Sequence, residues 1–292
     1  ELPPGRIMWE INSEQNRYGT PMALMLIPYW SDEHQSMEGV FFESSVTTPF
    51  HFLNGSEVSR SPSNPVRGLN YRGMDFERAV EHLELYNVQH YISYTDEARD
   101  AAIAAGLPVL AEPSPWTVFD LRESQAVVPL AFEPVVYAGE EQFLDVALDW
   151  YDDINGLDRF VALDGPEEWR RVQETAARFT TSPYDTADAN VSDIVIEDQR
   201  VTFSTTAVGV PHLVKVSYFP NWEVVSGGEG PYPVTPSLML VVPTEQDVVL
   251  EFRSTSVENI GTVLTLAGLG FIAGWWVLRR RRRHQAAQEQ AA

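Results

Sequence analysis

The hydrophobic pattern of this chain is clearest around residue 80, where apolar positions recur every three or four residues. Apolar side chains from Phe76 to Leu83 follow this helical spacing, and Asp75 stands where an N-cap residue belongs. A strand-like run, Val88–Tyr94, comes next. A second helix follows between the cap Thr95 and the terminator Gly106, and then a strand at Leu107–Ala111. This order predicts a small α/β layer with a right-handed parallel crossover.

The same criteria predict further elements before a turn at residues 182–185. They are strands at Trp116–Leu121 and Ala126–Tyr137 and helices at Glu140–Tyr151 and Pro166–Arg178. Residues 75–181 are therefore predicted to form one α/β domain. His82 follows Glu81 on a helix that other charged residues make polar, which predicts a surface position for this histidine.

From about residue 187 the chain changes to short runs rich in Val, Phe and Thr, separated by turns at an even spacing. This pattern is typical of a small β-sandwich, assigned here to residues 182–258. The predicted strands are Asp193–Ile196, Arg200–Thr205, His212–Phe219, Trp222–Val225, Ser237–Val242 and Asp247–Arg253.

The first part of the chain, residues 1–74, is dense in turn formers and aromatic residues. Strand-like runs at Ala23–Ile27 and Gly39–Phe42 lie between turn signals such as Asn54-Gly55. A long loop-rich segment with many aromatic side chains is unusual in a compact domain. We expect it to pack on another part of a larger protein.

The apolar run Ile260–Leu278 has no charged residue and is long enough to cross about 30 Å of hydrocarbon. It predicts one transmembrane helix at 259–279 and a basic cytoplasmic tail at 280–292. The spacing of Gly270 and Gly274 fits a helix-packing face, with other transmembrane helices of a parent protein as candidate partners, although glycine is common in such helices in any case. The side chains predicted to contact the lipid bilayer are Trp275, Trp276, Arg279, Arg280, Arg281, Arg282 and Arg283.

Because basic residues stay on the cytoplasmic side, residues 1–258 are predicted to be extracytoplasmic, at the plasma membrane. The chain opens at Glu1 without a Met, a basic segment or an apolar segment. We expect either a signal peptide that has been removed or the C-terminal piece of a longer membrane protein. The predicted fold class is α+β: a small α/β layer, a β-sandwich and one transmembrane helix.

Charge excludes one class of partner. The net charge is −22, and residues 1–258 carry 15 basic and 41 acidic side chains, a net −26. Such a surface repels nucleic acid. Of the twenty basic residues only Lys215 is a lysine, and the absence of cysteine argues against a disulfide scaffold.

Acidic residues cluster after residue 145 and imitate part of a calcium loop. The candidate ligands for Ca²⁺ are Asp149, Asp152, Asp153, Asn155 and Asp158. Tyr151 and Ala162 occupy places where the calcium pattern needs acidic residues, so a solvated helix end is the alternative. No cofactor is otherwise expected.

Candidate glycan contacts come from the aromatic-rich front segment, because sugar faces stack on Trp and Tyr. They are Trp9, Tyr29, Trp30, Glu43 and His51. The chain has no G-x-S-x-G elbow, no Cys nucleophile and no H-E-x-x-H motif, so hydrolase chemistry by those routes is not expected. Paired carboxylates of a glycosidase stay open, because their spacing is spatial.

Several segments resemble the outer domains of bacterial multi-spanning membrane proteins of the GT-C glycosyltransferase type. The segments are Asn87–Ser93 after its amphipathic helix, Val214–Trp222 with its S-Y-F-P-N-W sequence, Gly230–Met239, Gly261–Thr265 and Ser36–Ser45. The resemblance covers most of the chain, but its motifs are turn and core residues. No catalytic residue is assigned.

The resemblance implies that the parent protein transfers sugars from a polyprenyl-linked donor and holds its catalytic acid near spans outside this chain. The leading hypothesis is therefore a non-catalytic accessory domain that contacts an acceptor glycan or a polyprenyl-linked sugar. An independent single-pass carbohydrate-binding protein and an anchored glycosidase are the alternatives.

Overall fold

The structure, a computed structural model, describes residues 2–20, 23–31, 33–37, 46–121, 124–174 and 181–289, with the side chains of the last helix described as far as Arg279. Its helices are α1 (Ile27–Trp30), α2 (Thr48–Val58), α3 (Phe76–Leu85), α4 (Asp96–Ala104), α5 (Phe143–Asp152) and α6 (Ser256–Glu289), and 3₁₀ helices span Ser13–Tyr18 and Ala23–Leu26. The strands are β1 (Gly5–Trp9), β2 (His34–Ser36), β3 (Val88–Ser93), β4 (Val109–Ala111), β5 (Thr117–Asp120), β6 (Val127–Pro129), β7 (Val135–Tyr137), β8 (Val161–Ala162), β9 (Arg171–Val172), β10 (Val191–Glu197), β11 (Arg200–Thr205), β12 (His212–Val214), β13 (Trp222–Ser226), β14 (Gly228–Val234), β15 (Leu238–Pro243) and β16 (Asp247–Phe252).

The first sheet has the strand order β2-β1-β3-β5-β4. Strand β1 pairs in parallel with β2 and β3, whereas β5 lies antiparallel between β3 and β4. The predicted order α3, β3, α4, β4 is confirmed, together with the caps at Asp75 and Thr95. The predicted crossover differs in one respect: β3 and β4 run in the same direction but are separated by β5, which supplies the hydrogen bonds between them.

The second half of the chain builds two facing sheets. One has the order β10-β11-β16-β13, and the other has the order β6-β12-β15-β14-β8-β7-β9. Phe203 and Leu250 from the four-stranded sheet share a core with Met239 and Val241 from the seven-stranded sheet. The mixed α/β class with a β-sandwich is therefore confirmed. The seven-stranded sheet takes strands from both sides of residue 182, because β6 to β9 precede that position.

The strand β15 explains how the layers join. Met239 and Val241 point into the sandwich, and Leu238 and Leu240 point to the opposite face. That opposite face packs against α2, α3 and α5, which in turn cover one face of the first sheet. One continuous core thus runs from Met8 in β1 to the sandwich.

Helix α2 is the main departure from the sequence-based expectation for residues 1–74. Asn54 and Gly55 were predicted as a turn, but both lie buried inside this helix. A Cβ atom at position 55 would stand 2.7 Å from Ile11 Cδ1, so glycine permits the close approach of the front segment. Because the helix is buried nearly all round, it has no amphipathic period for a sequence pattern to reveal.

Two other predictions in irregular regions are wrong. The first is the strand at Ala23–Ile27, since residues 23–26 form a 3₁₀ helix. The neighbouring prediction at Gly39–Phe42 is not tested, because that run lies outside the described residues. Within the described part of the predicted helix Pro166–Arg178 the structure has turns and β9. The guanidinium of Arg171 accounts for this: it binds the carbonyls of residues 165, 166, 167 and 169 at 2.8–3.1 Å, which takes them away from a helical ladder.

The last helix starts from a hydrogen-bonded joint on the sandwich. Thr255 and Glu258 form a reciprocal capping box: Thr255 N donates to the Glu258 carboxylate at 2.6 Å, and Glu258 N donates to Thr255 Oγ1 at 3.3 Å. The buried Asn221 amide, from the turn before β13, donates to Glu258 Oε2 at 2.8 Å and to Arg253 O at 2.7 Å. Within the described residues, one helix, Ser256–Arg279, is long and apolar enough to cross a membrane, and its apolar stretch is fully exposed.

Candidate functional site

A polar pocket of about 210 Å³ opens between α2, α3 and α5. Helix α2 contributes its last turns, α3 contributes Arg78, and α5 contributes a row of acidic side chains. The loop before α3 closes the remaining side with Leu69 and Asn70. The lining residues are Leu53, Glu57, Gly68, Leu69, Asn70, Arg78, Asp145, Leu148, Asp149, Tyr151 and Asp152.

The inner wall of this pocket is a buried charged cluster. His82 Nδ1 lies 2.7 Å from Glu57 Oε2, and His82 Nε2 lies 2.9 Å from Tyr151 O. A carboxylate and a backbone carbonyl thus lie within hydrogen-bond distance of the two ring nitrogens, one on each side of the ring. The imidazole also stacks on the Tyr151 ring with centroids 3.7 Å apart. Arg78 Nε donates to Glu57 Oε1 at 3.3 Å, which completes the buried cluster.

The outer wall holds acidic groups of two kinds. Arg72 forms a bidentate pair with Asp152, and this hydrogen bonding lowers the pKa of the Asp152 carboxyl. Arg78 adds bonds to Asp152 O at 3.2 Å. Asp145 and Asp149 lie one turn apart on α5 and make no ion pair within the described part of the chain. Their carboxylates are therefore available to a ligand.

The predicted calcium ligands are not brought together. Asp152 is held by Arg72 and Arg78, and Asp158 pairs with Arg159 at 2.5 Å. Asp153 Oδ1 accepts from the backbone N–H of Asn155 at 3.2 Å in a local turn. Asp149 faces the pocket. Among the residues that the structure describes, no three His, Asp or Glu side chains are placed to hold a metal ion. The sequence pattern was local, whereas the arginines that hold Asp152 come from α3 and the loop before it.

The five predicted glycan contacts divide into three groups. Trp9 and His51 are each 1% exposed, so neither has a ring face free for a sugar in this conformation. Trp9 packs with Ile7, Met25 and Ile92 against the first sheet. Tyr29 and Trp30 are 81% and 68% exposed, with ring centroids 6.5 Å apart. Glu43 lies outside the described residues.

The predicted membrane side chains lie along α6. Trp275 and Trp276 are exposed, and the Arg279 guanidinium stands 5.0 Å from the Trp275 ring centroid. The helix backbone continues to Glu289. The side chains of Arg280, Arg281, Arg282 and Arg283 lie outside the described residues.

Sequence reasoning missed the cluster that forms the pocket's inner wall. His82 was predicted on the surface but is fully buried, because α2 and α5 cover that face of α3. One signal was available in the sequence: His82 lies four residues after Arg78, so both side chains project from the same face of α3. Their shared acidic partner, Glu57, could not be found from sequence, since α2 itself was not predicted.

Comparison of the chain with protein-family models, with curated proteins and with solved structures finds no match. Support for a function therefore comes from the residues themselves.

Proposed function

We propose that this chain is the membrane-anchored, extracytoplasmic accessory domain of a GT-C-like membrane glycosyltransferase or envelope-biogenesis protein, and that it contacts a carbohydrate in the pocket between α2, α3 and α5. The observation that carries the proposal is that the pocket contains both paired and unpaired acidic side chains. Glu57 and Asp152 are held by arginines, whereas Asp145 and Asp149 face the cavity and make no ion pair with the residues that the structure describes.

Carboxylate oxygens and the Asn70 amide suit the hydroxyl groups of a neutral sugar, which donate and accept hydrogen bonds. Leu53 and Leu148 offer apolar contact to the C–H faces of a ring. The cavity is smaller than the roughly 300–1,000 Å³ of drug-sized sites. It suits one sugar unit, and the exposed Tyr29 and Trp30 rings are a further platform for a longer glycan.

Anchoring is supported by α6 and by its joint with the sandwich. The capping box and Asn221 fix the start of the helix to the domain, so the domain stands close to the bilayer. The arginines after Leu278 favour a cytoplasmic tail and an outer position for the acidic residues 1–258.

Binding can be measured with the full chain in lipid nanodiscs, because sugar-based detergents would compete for the site. We expect saturation-transfer NMR with a panel of neutral mono- and disaccharides to detect a ligand. Asp149→Asn should weaken its binding about tenfold or more, the effect of about 1.4 kcal/mol. Asp198→Asn, in the exposed turn between β10 and β11, is the matched control and should bind normally.

Failure of every sugar to bind, or equal binding by Asp149→Asn, would reject the glycan role of this pocket. Conversion of a bound saccharide to smaller products would favour an anchored glycosidase. Reading the open reading frame before Glu1 distinguishes the other alternative: many apolar spans fit an accessory domain, and a lone signal peptide fits an independent binding protein.

Orientation has a direct test because the chain contains no cysteine. Single cysteines at Asp198 and Gln288 can be treated on intact cells with a membrane-impermeant maleimide. We expect labelling at position 198 and protection at position 288. The reverse pattern would overturn the proposed topology.

A further inference from the structure

The single lysine of the chain lies buried beside a serine hydroxyl. Lys215 directly follows β12 and is only 5% exposed. Its Nζ lies 2.7 Å from Ser124 Oγ and 2.8 Å from Glu84 O, at the C-terminal end of α3. Ser124 itself is half-buried, in the segment that leads into β6. A nucleophile and a potential base are thus in hydrogen-bond contact, with the nucleophile nearer the surface.

The surroundings of Lys215 make its amine lose a proton more easily than an exposed lysine does. Within the described residues its polar contacts are the hydroxyl and a carbonyl, and no carboxylate pairs with Nζ. Burial lowers the pKa of Lys215 to about 8, the more distant Glu84 carboxylate opposes this shift, and the Arg6 charge adds to it. Arg6 is itself held by backbone carbonyls, those of Tyr86 and, at 3.2 Å, Lys215.

The choice of lysine matters in a chain whose other nineteen basic residues are arginine. A guanidinium could also bind the carbonyls at the end of α3, as Arg6 does. It could not act as a base, because arginine stays protonated in proteins, whereas a buried lysine can lose its proton. Lysine is therefore the residue that a proton-accepting role would require at this position.

We propose that Ser124 and Lys215 form a serine–lysine pair that transfers the acyl group of an ester or another activated acyl compound. The neutral Nζ takes the hydroxyl proton as Oγ forms a bond to the acyl carbon. The tetrahedral intermediate then expels the leaving group, which takes the proton from Nζ. Water, activated by the same amine, hydrolyses the acyl-serine and restores both side chains.

This activity is independent of the glycan pocket, from which Ser124 and Lys215 are absent. The competing role for Lys215 is structural, since a cation at a helix C-terminus stabilises the helix dipole. A structural cap would not make Ser124 reactive, so serine reactivity separates the two roles.

The test is covalent labelling of the full chain in lipid nanodiscs with a biotinylated fluorophosphonate, which reacts with activated serines, followed by peptide mass spectrometry. We expect an adduct on Ser124 whose rate of formation rises with pH through about 8. Lys215→Arg should lower the rate about 10²–10⁴-fold, the size of a general-base contribution. Ser124→Ala should abolish the adduct, and Ser192→Ala, at a half-buried serine on β10, should leave it unchanged.

Absence of a Ser124 adduct at pH 9, or an equal rate in Lys215→Arg, would overturn the proposal and leave Lys215 as a helix cap. Circular dichroism checks that each variant is folded. Should Lys215→Arg fail to fold, the wild-type pH profile decides, because a rate that stays flat from pH 7 to pH 9 also rejects the lysine base.

Discussion

The two ends of helix α3 both meet buried cations, but they compensate the charge in different ways. Toward the N-terminus, Arg78 faces the Glu57 carboxylate, which His82 also contacts from the following turn of the helix. At the C-terminus, Lys215 and Arg6 face backbone carbonyls. Carbonyl dipoles offset a full charge less completely than a carboxylate does, and burial accordingly lowers the pKa of Lys215 and of Arg6. One end is therefore a locked structural cluster, and the other keeps a proton that can be lost.

The largest expected effect comes from removing the shared carboxylate at the locked end. Glu57→Ala leaves Arg78 with Asp152 alone and leaves the buried His82 without its carboxylate. Breaking a buried pair in this way typically costs about 3–5 kcal/mol of unfolding free energy. Urea unfolding of the full chain in nanodiscs, followed by tryptophan fluorescence, measures this cost. Glu197→Ala, at the exposed end of β10, is the control and should change stability by less than about 0.5 kcal/mol. A loss below about 1 kcal/mol for Glu57→Ala would show that the cluster is not locked.

The second prediction concerns the pH dependence at the other end. The pKa of Lys215 is lowered from 10.5 to about 8, so above pH 8 the unfolded chain binds this proton more tightly than the folded chain. Stability should therefore rise between pH 8 and about 9.5, by roughly 1–2 kcal/mol at about 1.4 kcal/mol per pKa unit.

Urea unfolding at several pH values, with Lys215→Met as the comparison, measures this slope. The variant should lose the rise, because it has no proton to release. The series stays below the ordinary tyrosine pKa of about 10. Burial raises the pKa of Tyr86 and Tyr91, so both titrate later in the folded chain. Identical slopes in wild type and variant would contradict the assignment of the buried proton to Lys215.

A smaller effect is expected from the N-cap of α3. Asp75 Oδ1 accepts hydrogen bonds from the amides of Glu77 and Arg78 at 3.2 and 3.3 Å. Asp75→Ala should cost about 1 kcal/mol, whereas Asp75→Asn should retain most of the stability because the amide oxygen can still cap. Equal losses in the two variants would indicate that the charge of Asp75, not its cap, stabilises this end of the helix.

The sequence pattern predicted α3 itself well, because an amphipathic helix with a polar cap shows both its period and its start. It did not predict what covers the helix. The burial of His82 depends on α2, whose buried Asn54-Gly55 pair has the composition of a turn. The proximity of Ser124 and Lys215, 91 positions apart, likewise left no local trace in the chain.

The sequence alone was sufficient to predict those elements that are defined by residues close together in the chain. The membrane-length helix, the caps of α3 and α4, and most strands of the sandwich follow from period, turn residues and length, because these properties act on neighbouring residues. Only the tertiary structure decided which charged side chains form ion pairs and which face a cavity or backbone carbonyls instead. Glu57, Asp149 and Lys215 are similar polar positions in sequence, but long-range packing gives one a buried cationic partner, leaves one facing a cavity and surrounds one with carbonyls.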